Sequence, residues 1–107
     1  MSFTLHDLAA VIDARAAAAD GESSYTKKLL DKGAVHCAKK FGEEAVEAVI
    51  AAVDDDRADL INESADVLFH LLVLLKSRDI TIQDVEAALG ARTHQSGLQE
   101  KASRKSD

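Results

Sequence analysis

Two short acidic strings, Glu44-x-x-Glu47 and Glu63-x-x-Asp66, carry the most chemistry in this chain of 107 residues. Residues three apart share one side of an α-helix, so each string sets two carboxylates close together. Glu43 adds a third acid to the first string, one turn before Glu47. Asp54-Asp55-Asp56 separates the strings and reads as a break between two helices. Antiparallel packing across that break brings the strings together at mid-helix, since Glu47 stands about eight residues before the turn and Glu63 about eight after it. Carboxylates gathered in this way repel one another and lose hydration, so they call for a counter-charge. A hard divalent cation supplies one. Mg²⁺ takes oxygen ligands in octahedral geometry and keeps positions open for water and substrate phosphate. Held there, it can polarise a phosphoryl oxygen, lower the pKa of an attacking water and stabilise a pyrophosphate leaving group.

The plain alternative is a solvated helix face. Lys39 and Lys40 lie four residues before Glu43 and Glu44, a spacing that forms surface ion pairs. Two acidic pairs flanking one helical turn weigh against surface charge alone, because a single pair is common on soluble helices. A di-iron bundle would need Glu-x-x-His on its helices, and none of the four histidines has a glutamate three positions before it.

The elements that must position these acids are helices. The chain has 47% apolar residues, 30% charged, only 4% aromatic, five glycines and no proline. Ala, Leu, Glu and Lys lose little side-chain freedom in a helical turn, and the shortage of aromatics and glycine argues against a sandwich or barrel. The length suits one small domain. We expect an all-α fold of four to five helices, with the domain over 1–92 and a basic tail over 93–107 that has freedom to move without a ligand. A net charge of −6 disfavours a nucleic-acid partner. A single cysteine, Cys37, excludes an internal disulfide and a zinc-finger cluster. The N-terminus lacks a signal-peptide pattern. The longest apolar run, Val67 to Leu75, is interrupted by His70 and falls well short of the roughly 20 residues that span a bilayer. No membrane partner and a cytoplasmic setting follow as expectations.

Local signals divide the chain further. Thr4 with Asp7 reads as a helix start, followed by Leu5, Leu8, Val11 and Ile12 at helical spacing and an alanine run that Asp20-Gly21 should end. Ser23 or Ser24 caps a short helix from Tyr25 to Lys32, closed by Gly33. Ala34 to Val53 forms a long helix with Val35, Ala38, Val46, Val49, Ile50 and Val53 as its apolar positions. Gly42 inside it costs about 1 kcal/mol relative to alanine, which a close approach of backbone or ligand would justify. Arg57 to Ser77 forms the next helix, and its segment VLFHLLVLL is apolar almost all round. A chain this small cannot surround such a helix alone, which predicts central long helices bundled across a homodimer interface. Thr81 and Asp84 start a last helix through Val85, Ala88 and Leu89.

The strings SYTKKLL-DKG, KKFGEEAVEAVIAA, ESADVLFHLLVLL and SGLQEKASR together resemble the phosphoribosyl-ATP pyrophosphatases of histidine biosynthesis over nearly the whole chain. These belong to the all-α nucleoside triphosphate pyrophosphatases, whose signature is E-x-x-E followed later by E-x-x-D. The resemblance implies Mg²⁺-dependent hydrolysis of phosphoribosyl-ATP, a small-molecule nucleotide, to phosphoribosyl-AMP and pyrophosphate. Carried over by motif, it implies Glu44, Glu47, Glu63 and Asp66 as metal ligands. It leaves Glu43 as a further ligand or, with Glu47, as a candidate to orient or deprotonate water. Lys28, Lys32 and Lys40 are implied to meet phosphate oxygens, with Lys101 and Arg104 of the tail closing over the triphosphate. Ala34-Val35-His36 replaces a segment more charged in many relatives, and Phe41 stands where a smaller aliphatic is usual. Having only Cys37 and no room for a fused cyclohydrolase, the chain is expected to be the free-standing enzyme.

Three further residues have two uses each. His70, four residues after Asp66, is either a site residue or a hydrogen-bonded core histidine, and its apolar neighbours favour the core. Tyr25 stacks on adenine or covers the core. Cys37 reads as a small packed residue. Two rival functions stand beside the leading one: a house-cleaning hydrolase of dUTP or a modified nucleotide, and a non-enzymatic helical dimerisation module.

Overall fold

The computed structural model describes residues 2–18 and 24–93, which form five α-helices and, among the described residues, no strand. They are α1 (Leu5–Ala17), α2 (Tyr25–Lys32), α3 (Ala34–Val53), α4 (Arg57–Ser77) and α5 (Ile82–Arg92). Side chains close most of the helix starts. Thr4 and Asp7 form a reciprocal capping box on α1, each side chain accepting the other's backbone N–H at 3.0 Å. Thr81 and Asp84 repeat it on α5. Ser24 accepts from the Lys27 N–H at 3.1 Å to start α2, and Asp56 accepts from the Asp59 N–H at 3.1 Å to start α4. Each bond satisfies a donor that the first helical turn leaves without a partner.

The turns that make the α3–α4 hairpin and release α5 are built alike. Asp55, at φ 56°, lets its own N–H reach the Ala52 carbonyl and the Asp56 N–H reach the Ala51 carbonyl at 3.1 Å. Asp79, at φ 58°, does the same after α4, with the Ile80 N–H on the Leu75 carbonyl at 2.9 Å. Both are Schellman closures with aspartate in the left-handed position that glycine usually fills. At Gly33, φ 95° uses the freedom of glycine directly between α2 and α3.

The tight turn at Asp54–Asp56 sends α4 back along α3, and α1 and α2 lie against one side of the pair. Ile12, Leu29, Cys37, Leu72 and Val73 form the buried core, with Leu8, Leu30, Phe69, Leu75 and Ile82 packed around it. The Cys37 thiol donates to the Leu29 carbonyl at 3.3 Å, and burial pushes its pKa up, as suits a packed residue. Lys76 on α4 pairs with Asp13 on α1 at 3.1 Å, and His6 on α1 meets Glu86 on α5 at 2.8 Å. Among the described residues no helix is long and apolar enough to cross a membrane.

Three features differ from the pattern in the sequence. Helix α1 ends at Ala17, capped by Ala18, ahead of Asp20-Gly21, which lies outside the described residues. Most of the apolar positions assigned to α3 are uncovered within the chain, with Val35 82% and Val53 79% exposed. Only Cys37 and Ala51 of α3 are buried, because α4 covers one side of it and α2 only its start. Gly42 makes no close approach within the chain: a Cβ there would meet nothing within 4 Å. Gly42→Ala should therefore raise unfolding stability by about 1 kcal/mol, read from urea midpoints. A loss instead would place atoms of another molecule against that position.

Candidate active site

Glu44 faces α4 from the middle of α3, and Glu63 and Asp66 face back from α4. One carboxylate oxygen from each lies within 4.8 Å of the other two. Glu44 and Glu63 are half-buried and Asp66 is exposed, so the group opens to solvent on one side. The register follows from the hairpin: Glu44 and Asp66 stand equally far from Asp55. Glu47 lies outside this set of three. Three residues advance a helix by about 300°, which rotates Glu47 away from the Glu44 direction and towards solvent. It remains close enough to act on Glu63 electrostatically. Glu43, one turn before Glu47 and likewise exposed, pairs with Lys40 at 3.2 Å.

Glu63 bears the strain of the arrangement. Its Oε2 is buried and has no hydrogen-bond partner. Burial first, and then the charges of Asp59, Glu44, Asp66 and Glu47, push its carboxyl above the ordinary value of 4.5. A carboxylate oxygen turned into a group of other carboxylates without a donor is a site short of positive charge. The donor set is all oxygen, which suits Mg²⁺ and other hard cations and not zinc or iron–sulfur chemistry.

Aromatic rings border the acids. His70 is buried, and its ring meets Phe69 edge-on at 5.2 Å and Tyr25 edge-on at 6.0 Å. Burial lowers its pKa and the charge of Lys40 adds to that, while Glu44, Asp66 and Glu43 pull the other way. His70 is thus a packed histidine within electrostatic reach of the acids. Tyr25 lies against Phe69, with ring centroids 6.2 Å apart, and leaves half of its surface open.

Beyond Tyr25 the lysines gather. Lys28, Lys32 and Lys40, with Tyr25, Leu29 and His36, line a pocket of ≈ 220 Å³. His36 is the residue that motif reasoning missed here. Its signal was present: Lys28, Lys32, His36 and Lys40 recur every four residues, the spacing that keeps groups on one helix side, and the stripe continues across Gly33. Lys101 and Arg104 lie outside the described residues. A larger cleft of ≈ 410 Å³ between α1, the end of α4 and the start of α5 holds none of these groups, and its Asp13 and Lys76 are paired with each other.

A helical hairpin that sets clustered carboxylates beside a pocket of lysines offers oxygens suited to a hard cation and ammonium groups suited to phosphate, the two needs of an enzyme acting on phosphoanhydrides. Comparison with known proteins makes the class specific. Residues 5–93 match the phosphoribosyl-ATP pyrophosphohydrolase family, and the chain belongs to it. It is 74% identical over 105 residues to phosphoribosyl-ATP pyrophosphatase 1 of Rhodopseudomonas palustris, covering 98% of this chain and 97% of that one. It is also 74% identical to phosphoribosyl-ATP pyrophosphatase 1 of Bradyrhizobium diazoefficiens, covering 96% of each chain. The phosphoribosyl-ATP pyrophosphatase of Ruegeria pomeroyi is 59% identical over 94% of each.

The raised Glu63 carboxyl has a measurable consequence. A carboxyl whose folded pKa exceeds its unfolded one keeps its proton longer in the native state, so stability falls as pH rises from the ordinary value through the raised one. At about pH 7 and without a divalent cation, the native protein bears the full penalty. Glu63→Gln removes it. In chelator this variant should melt above the wild type at neutral pH, and the gap should close below pH 4.5, where the wild-type carboxyl is protonated in both states. Added Mg²⁺ should raise the wild-type melting temperature and move the variant's less.

Proposed function

We propose that this chain hydrolyses phosphoribosyl-ATP to phosphoribosyl-AMP and pyrophosphate with Mg²⁺, as a step of histidine biosynthesis in the cytoplasm. The observation that carries the proposal is the buried, unpartnered Glu63 Oε2 within a three-carboxylate group, in a chain belonging to a family named for this reaction. The net reaction adds water across the anhydride between the α- and β-phosphates.

Glu44, Glu63 and Asp66 would hold the ion, with Glu47 at the rim of the group as the remaining carboxylate. Bound there, Mg²⁺ would neutralise the phosphates, polarise a phosphoryl oxygen and acidify the attacking water. Among the described residues Glu47 forms no ion pair, whereas Glu43 is held by Lys40 at 3.2 Å. We therefore assign proton removal from the water to Glu47, and to Glu43 the positioning of Lys40. That contact raises the lysine's pKa and holds an already charged ammonium in one place. Lys28 and Lys32 add cationic donors alongside it, and Lys101 and Arg104, outside the described residues, are assigned to phosphate oxygens by the chemistry of their side chains, a guanidinium being able to make a forked contact.

The working form we propose is a homodimer. Val46, Val49, Ile50 and Val53 make one stripe along α3 and are 57%, 61%, 49% and 79% exposed, with Ile61 at 56% and Leu68 at 40% on α4. Apolar side chains left open along both long helices call for a second copy to cover them, most simply through a two-fold contact.

Purified protein should release pyrophosphate from phosphoribosyl-ATP with Mg²⁺ and none in excess chelator. Glu47→Gln and Asp66→Asn should each lower turnover by about 100-fold or more with the fold intact by circular dichroism. A higher kcat/KM for dUTP than for phosphoribosyl-ATP would move the assignment to nucleotide house-cleaning. Absence of any Mg²⁺-dependent turnover or thermal shift would leave a dimerisation module. In sedimentation, the wild type should run at twice the 11.4 kDa of the chain, and Val49→Glu with Val53→Glu should shift it to one chain.

A further inference from the structure

The lysine pocket adjoins the acidic side of the hairpin at Lys40, which lines the pocket and pairs with Glu43, and chemistry distinguishes what the two can hold. The pocket has no carboxylate in its lining, in a chain whose net charge is −6. Among the described residues, neither Lys28 nor Lys32 forms an ion pair, while neighbouring Lys27 is committed to Asp31 at 3.1 Å. Lys28, Lys32 and His36 therefore present donors that no internal acid satisfies. Leu29, only 2% exposed, closes the pocket from inside the fold. Its volume of ≈ 220 Å³ is below the roughly 300–1,000 Å³ of sites that enclose a whole drug-sized ligand, so it takes one end of a longer molecule.

Between pocket and acids lies an aromatic bridge. Tyr25 lines the pocket and its ring meets His70, and His70 is within electrostatic reach of Glu44 and Asp66. Lys40 stands at the pocket's acidic edge, whereas Lys28, Lys32 and His36 lie farther along the stripe from Glu44, with Tyr25 and His70 beside them. Phosphoribosyl-ATP has a matching order: a phosphate monoester on one ribose, the purine, and a triphosphate on the other ribose. A triphosphate can approach clustered carboxylates only with a cation between them, whereas a monoester far from that cation needs protein donors.

We propose that the pocket of Lys28, Lys32 and His36 is a subsite for the 5-phosphate of the substrate's second ribose, with the purine over Tyr25. This fixes the direction of binding and selects against nucleoside triphosphates that lack the extra phosphate. The assignment narrows the general phosphate contact given above to Lys28 and Lys32, adds His36, and rests on the phosphoribosyl-ATP reading. A pocket of unpaired cations rejects a ligand that lacks the matching anion, since nothing replaces the missing charge.

Ribose 5-phosphate and inorganic pyrophosphate are probes for the two ends. Ribose 5-phosphate should inhibit phosphoribosyl-ATP hydrolysis competitively. Lys28→Gln and Lys32→Gln should each raise its inhibition constant and the KM for phosphoribosyl-ATP by about tenfold, and His36→Ala by less, with kcat changing far less than KM. Inhibition by pyrophosphate with Mg²⁺ should weaken in these variants by a much smaller factor. An equal or larger loss of pyrophosphate inhibition would overturn the proposal and give the pocket to the triphosphate end. Unchanged constants for both probes would overturn it as well. If the wild type fails to cleave phosphoribosyl-ATP, the functional reading falls separately. Calorimetric titration with ribose 5-phosphate then decides the pocket alone: binding lost in the lysine variants supports an anion site, and no binding to wild type removes it.

Discussion

The carboxylate of Glu63 sets the terms on which the hairpin exists. A buried oxygen without a donor, facing Glu44 and Asp66 and with Asp59 and Glu47 nearby, opposes the packing of α3 on α4 where their acids meet. The opposition has to be met elsewhere in the chain. It is met at the turn, where the Asp55 closure and the Asp56 cap fix the reversal, and near the other end of α4, where Leu72 and Val73 enter the core with Ile12, Leu29 and Cys37. The acids lie between these two anchored stretches. A site placed there is held in register by parts that carry no charge repulsion of their own. It can stay short of positive charge until a cation arrives, at the expense of stability in the cation-free protein.

That division explains which features could be read from the residues and which could not. Helix ends are decided by contacts three or four residues long, so Thr4-Asp7, Ser24, Gly33, Asp56 and Thr81-Asp84 marked them well, and α3 and α4 have the bounds that the pattern implies. The proximity of the two acidic strings followed from one short turn. The different settings of Glu44 and Glu47 did not, because E-x-x-E treats its two acids alike and only the rotation of α3 against α4 separates them. Exposure of Val46, Val49 and Val53 was hidden for the same reason: their hydrophobicity says they need cover, not which molecule provides it. His36 escaped because Gly33 divides the lysine stripe between two helices, and a motif confined to one element does not cross the gap.

The left-handed aspartates have a further role in this balance. Glycine at Asp55 or Asp79 would close the same turns with less steric cost. Aspartate tolerates the left-handed region better than most side chains. Asp56, beside the first of them, supplies a cap that glycine cannot. Two reversals of the same kind bracket α4, so the helix carrying Glu63, Asp66 and His70 is fixed at both ends by backbone hydrogen bonds. Its length is then free to serve both the site and the core.

The boundary between the acidic and basic halves rests on Lys40 and Glu43. Lys40 is close enough to Glu44 and His70 to influence the acidic group. An ammonium that folded into that group would give Glu63 the counter-charge it lacks, and the protein would satisfy itself internally with no place for a metal. Lys40 is instead paired with Glu43 at 3.2 Å, with both side chains partly open to water. An exposed pair of this kind contributes little to stability. Its interest is placement: a base paired with Glu43 is not paired with Glu63, whose buried oxygen keeps no partner. The lysine stays facing the neighbouring pocket, where the remaining cations stand.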